Sequence, residues 1–131
     1  MTFDQETKDK ANELSKLVIG AAIEVHRHLG PGLLESTYEA CLCRELELRG
    51  IAFERQVPLP VHYKGMEIDC AYKMDVRVDG LLIVELKSVG AIDPIHEAQL
   101  MTYLRLSQRW LGLLINFNVP VLKKGIKRLV N

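Results

Sequence analysis

The run Leu81-Leu82-Ile83-Val84-Glu85-Leu86-Lys87 restricts this chain more than any other segment. It is short, apolar and rich in branched side chains, and it follows Asp79-Gly80, a strong hairpin-turn pair. It therefore reads as a buried strand. Strand side chains alternate between faces, which puts Ile83, Glu85 and Lys87 on one side. An ion taken out of water costs several kcal/mol unless it is paired or holds a metal. Any fold built around this strand must place a partner against Glu85 and Lys87.

The rest of the composition narrows the classes. At 131 residues the chain supports one core, and residues 1–131 are expected to form a single domain. Hydrophobic content of 48% and charged content of 26% are those of a soluble globular protein. Basic and acidic residues balance at 17 each, so attraction for nucleic acid has to come from a local patch. No apolar run approaches the roughly 20 residues of a membrane span. The segment Met1–Lys10 is polar and of mixed charge, unlike a secretory leader. Cys41 and Cys43 lie about 200° apart on a predicted helix and cannot grip one metal. With Cys70 they fit reduced packing residues, and a cytoplasmic protein is expected. The histidines and cysteines show no zinc spacing.

Along the chain, Leu14, Leu17, Val18, Ala21, Ala22, Val25 and Leu29 recur at helical spacing over 5–29, and Gly30-Pro31-Gly32 ends that helix. A second helix is predicted from about Leu33 to Arg49. Three strands follow, at 53–63 (an edge strand, given Pro58 and Pro60), 66–78 and 81–88. Pro94 suits the first turn of a helix running to about Leu106. Trp110 to Phe117 reads as a buried strand, and 121–130 as a further edge strand exposing Lys123, Lys124, Lys127 and Arg128. The order α-α-β-β-β-α-β predicts an α/β fold with a mixed sheet.

Several polar residues converge on the charged strand. Asp75 lies on its hairpin partner, with Asp69 as a competitor, and Gln99 and Tyr103 share a face of the third helix. Carboxylates from neighbouring strands can hold Mg²⁺, which typically takes one or two carboxylates plus waters and phosphate oxygens. A lysine beside them can orient the attacking water. Register matters here. A two-residue turn at Asp79-Gly80 would pair Asp75 with Val84 and leave it on the face opposite Glu85. A shared site predicts a three-residue loop, Val78-Asp79-Gly80, with Gly80 left-handed in a type I turn plus bulge.

The set Glu35, Asp75, Glu85-Leu86-Lys87 and Gln99-x-x-x-Tyr103 resembles the PD-(D/E)XK nuclease superfamily, the Gln–Tyr pair resembling its RecB-like branch. Gly32-Leu-Leu-Glu35-Ser-Thr-Tyr38 is similar to the signature of the small bacterial GxxExxY family. Glu24-Val-His26, Leu29-Gly30-Pro31-Gly32, His96-Glu-Ala-Gln99 and Gly112-Leu-Leu-Ile-Asn116-Phe117 also look like that family's blocks. The resemblance spans roughly residues 14 to 130, and Asn118 stands where the family is expected to have glycine. It implies a restriction-endonuclease-like α-β-β-β-α-β core with an extra N-terminal helix, and a Mg²⁺- or Mn²⁺-dependent nuclease, a DNA-binding hydrolase acting on DNA ahead of RNA. Asp75, Glu85, the Leu86 carbonyl and Glu35 would serve the metal, Lys87 the water, and Gln99 and Tyr103 the substrate and the lysine. A protein partner or a homo-oligomer is expected to supply further affinity.

Plainer readings stand beside these. Glu85 and Lys87 pair on an edge strand; Glu35 favours a helix amino terminus; Tyr38 is core or site wall; His26 orients the Gly-Pro-Gly turn; His96 is a satisfied surface residue. The alternative function is a nuclease-fold module of weak or no turnover that acts in binding or regulation.

Overall fold

A computed structural model describes residues 2–131, with backbone alone for Cys70 and Ala71. Two helices, α1 (Gln5–Leu29) and α2 (Glu35–Leu48), precede β1 (Phe53–Tyr63), β2 (Met66–Val78) and β3 (Leu82–Lys87). Then come α3 (Pro94–Ser107), β4 (Leu111–Asn116), a 3-10 turn (Leu122–Gly125) and β5 (Ile126–Val130). The five strands form one sheet in sequence order, with β3 and β4 parallel and the other pairs antiparallel. The expected α-β-β-β-α-β core is thus α2-β1-β2-β3-α3-β4, with α1 as the extra N-terminal helix.

Parallel neighbours need a crossover, and α3 supplies it. Helices on both faces leave β3 and β4 no solvent side, which is why both read as unbroken apolar runs rather than alternating ones. Val84, Leu86, Leu113 and Ile115 face α1 and α2; Ile83 and Leu114 face Leu100, Tyr103 and Leu104 of α3. Leu100 lies so close to β4 that a Cβ on Gly112 would meet its side-chain carbons at 3.0 Å. Glycine is the residue that fits.

The break between the first two helices is held from α2. Gly30 takes φ +68° and donates its N–H to the His26 carbonyl. Tyr38 is fully buried, stacked on Phe117 at 4.4 Å between ring centroids. Its hydroxyl donates to the Gly30 carbonyl (2.5 Å) and accepts from the Leu33 N–H (3.2 Å). The turn is therefore fixed by Tyr38, whereas the His26 ring bonds the Val119 carbonyl at 2.8 Å. This corrects the role expected for His26. Asn118 does not use a left-handed conformation either; its N–H donates to Asn116 Oδ1.

The hairpin between β2 and β3 also differs in detail. Pairing of Val78 with Leu82 makes the loop Asp79-Gly80-Leu81, one residue later than expected. Asp79 (φ +48°) and Gly80 (φ +66°) are both left-handed and Leu81 N–H bonds the Val78 carbonyl, the pattern of a type I′ turn rather than type I. Asp-Gly favours that turn because its twist matches the strands. The loop is still three residues long, so the parity holds: counting on from Val76↔Val84 brings Asp75 across from Glu85.

Candidate active site

The site begins where β2 changes faces. Met74 and Val76, two apart, should share a side. Instead Val76 packs against α1 and α2, while Met74 joins the α3 cluster. On β1, Arg55 opposite Val76 reaches α2, and Val57 opposite Met74 belongs to the α3 side. Gln56, between them, adopts φ +49°. Both strands of the hairpin turn over at Gln56 and Asp75, and the ladder between β2 and β3 ends at Val76↔Val84.

Two carboxylates fill the place of the missing ladder bonds. The Asp75 N–H donates to Glu85 Oε2 at 2.7 Å, and the Leu86 N–H donates to Asp75 Oδ2 at 2.9 Å. A strand residue's N–H and C=O point the same way. The Leu86 carbonyl therefore faces the gap opened beside β2, while the Lys87 carbonyl points to β4 and accepts the Phe117 N–H. Glu85 is only 5% exposed. Burial first and the neighbouring Asp75 charge second push its pKa up to about 8. Burial likewise raises that of Asp75, and Lys87 opposes the rise in both. Near neutral pH the pair holds a proton that a cation would displace.

On the α2 side, a pocket of about 370 Å³ is lined by Glu35, Ser36, Glu39, Gln56 and Asp75. Glu35, in the first turn of α2, accepts weakly from the Ser88 N–H at 3.3 Å, just past the end of β3. Glu39 is 7% exposed and accepts from Arg55 Nε and Nη2 on Oε2 and from the Gln56 amide on Oε1 (2.7 Å). The same Gln56 amide lies 3.5 Å from Asp75 Oδ1. Glu39, Arg55 and Gln56 were absent from the expected set. A signal existed: Glu39 falls on the stripe Tyr38, Leu42, Cys43, Leu46, a carboxylate on a buried helix face.

On the α3 side lie Lys87, Gln99 and Tyr103. Lys87 follows Glu85 by two residues and is half-buried. Tyr103 is buried among Met74 and Ile83, the chain neighbours of Asp75 and of the Glu85 face. Burial, then the charges of Glu85 and Asp75, push its pKa up to about 12, so it keeps its proton beside the acids. Gln99 shares a second, larger cavity with Tyr103. His96 accepts the Asp93 N–H at the start of α3, as a satisfied histidine does. Asp69 is exposed on the outer half of β2, away from the acid pair. Lys127 pairs with Glu97, and Arg128 lies over Trp110.

Among the described residues, no three His, Cys, Asp or Glu side chains converge as a ready-made metal cage. The donors that do converge are all oxygen: two carboxylates and the unladdered Leu86 carbonyl. That set fits a hard cation that keeps several waters, as Mg²⁺ does, better than zinc or copper.

An acid pair bridging the antiparallel strands β2 and β3, with a lysine two residues beyond Glu85, lies in a mixed sheet flanked by helices, a restriction-endonuclease-like arrangement. A family model described as the PD-(D/E)XK nuclease superfamily matches residues 12–129, and the chain belongs to that superfamily. No curated protein and no solved structure matches it. No helix of the described residues is long and apolar enough to cross a membrane.

Proposed function

We propose that this protein is a divalent-metal-dependent nuclease that hydrolyses phosphodiester bonds, of DNA ahead of RNA, and that it belongs to the GxxExxY group and the RecB-like branch of its superfamily. The observation that carries the reading is the exchange between Asp75 and Glu85. A buried acid, Glu85, and a half-buried one, Asp75, come together from different strands where the ladder opens, with Lys87 two residues beyond Glu85. Asp75, Glu85 and the Leu86 carbonyl would hold Mg²⁺ or Mn²⁺, and Glu35, at the mouth of the same cleft, would serve it through water. The ion would supply Lewis-acid charge at the phosphate and a more acidic water.

The remaining work falls to the chain's own groups. Lys87 orients the water that attacks phosphorus and offsets the charge gathering on the phosphate oxygens. Tyr103, which keeps its proton, donates to the substrate, with Gln99 next to it on α3. As the new P–O bond forms, the attacking water gives up a proton to solvent, the old P–O bond breaks, and the leaving oxygen takes up a proton from solvent. Lys87→Ala should fold normally and bind Mn²⁺ yet cut at least about 10²-fold more slowly, the scale of a lost proton-transfer group. Wild-type-like cleavage by that variant would refute the assignment.

One observation favours the rival, a binding or regulatory module with little turnover: each acid is already satisfied by a main-chain N–H. Cleavage by the wild type, abolished in Lys87→Ala, separates the two.

A further inference from the structure

The cavity shared by Gln99 and Tyr103 has a volume of about 710 Å³, within the roughly 300–1,000 Å³ typical of ligand sites. It lies between α3 and the outer half of the β1–β2 hairpin. Its walls are mainly apolar and aromatic, with Val61 and Tyr72 from the hairpin and Ile95, Tyr103 and Leu106 from α3, and His96, Gln99 and Thr102 are its polar members. Tyr72 and Tyr103 stand 6.1 Å apart between centroids at 58°, a corner of two ring faces. Tyr72 is 44%, Ile95 69% and Leu106 44% exposed, an unusual amount of open apolar surface at one place. Among the described residues no lysine or arginine lines it.

Tyr103 links the cavity to the acid pair. It lines the cavity, feels the charges of Glu85 and Asp75, and belongs to one apolar cluster with Met74, next to Asp75, and Ile83, two residues before Glu85. A phosphate held at the acids thus has a largely apolar, aromatic recess nearby, without lysine or arginine among its described residues. Duplex DNA would present a second charged backbone there, with its bases stacked and paired out of reach. An unpaired nucleotide would present a flat, uncharged ring that stacks on tyrosine.

Resting on the nuclease reading, we infer that this recess is a base-binding subsite that makes single-stranded nucleic acid, or an unpaired base in a duplex, the substrate class. Tyr72 is its specificity-determining residue: its ring takes the base, and it stands apart from the acids and from Lys87.

The test compares fluorescein-labelled (dT)20, a (dT)20·(dA)20 duplex and a 20-unit abasic strand of equal charge, by anisotropy with Ca²⁺ and with EDTA. The wild type should bind (dT)20 at least about tenfold more tightly than the abasic strand or the duplex, the scale of one lost stacking contact. Tyr72→Ala should remove that preference and Tyr72→Phe should keep it, with circular dichroism showing both variants folded. Equal binding of (dT)20 and the abasic strand, no binding of any probe, or an unchanged preference in Tyr72→Ala would overturn the subsite. Cleavage is read separately in Mg²⁺. Turnover without base preference sinks the subsite alone, and base preference without turnover sinks the chemistry alone.

Discussion

Glu85→Gln should stabilise the metal-free protein, and by an amount that depends on pH. In the unfolded chain Glu85 ionises near its ordinary 4.5, whereas in the fold burial and Asp75 hold its proton to about 8. Below about pH 4.5 both states are protonated and the residue's contribution is fully present. As pH rises toward 8 the unfolded state ionises first, so wild-type stability falls across that window. The span from 4.5 to about 8 is 3.5 pH units, and about 1.4 kcal/mol per unit sets a ceiling of about 5 kcal/mol. Water entry and relaxation of the opened ladder reduce the expectation to about 2–3 kcal/mol. Glutamine keeps an oxygen for the Asp75 N–H and never ionises, so it escapes the whole loss. Thermal melts in EDTA should show similar midpoints for wild type and variant at pH 4.5. At pH 8 the variant should melt about 6–15 °C higher, taking about 3–5 °C per kcal/mol for a chain of this size. A variant less stable than wild type at pH 8, or a difference that does not change between pH 5 and 8, would refute the reasoning.

Millimolar Mn²⁺ should raise the wild-type melting temperature, by about 2.7 kcal/mol of stability at 100 times the dissociation constant, and Asp75→Asn should lose that response while melting no lower than wild type in EDTA. A metal-blind wild type would count against the nuclease reading, since an ion-pair network alone offers no saturable site. The same metal response should weaken from pH 8 to pH 6, because the cation must displace the Glu85 proton; titration by calorimetry in buffers of different ionisation enthalpy would show about one proton released per ion. Gly112→Ala should cost about 1–3 kcal/mol by forcing Leu100 outward, read as a lower melting temperature with the metal response retained.

Much of this protein follows from local pattern. Helical spacing over residues 5–29 produces a helix of those bounds because one stripe of small and branched side chains must be buried. The continuous apolar runs at 82–87 and 111–116 mark strands covered on both faces, and Glu85 among them marks a buried charge. The Asp75, Glu85-Leu86-Lys87 spacing pointed to the superfamily whose model matches residues 12–129. Tertiary structure decided the rest. Whether Asp75 meets Glu85 depends on the parity of a hairpin register, and that parity turns on one extra loop residue, Leu81, after a type I′ turn. The reversal of faces at Gln56 and Asp75 lets the β1–β2 hairpin pack against α2 with one half and α3 with the other, helices that lie before and after it in the chain. Glu39 became part of the site only when α2 packed over β1 and brought Arg55 and Gln56 to it. The sequence determines which residues must be buried; the long-range packing of two helical layers on one sheet decides which buried charges face each other.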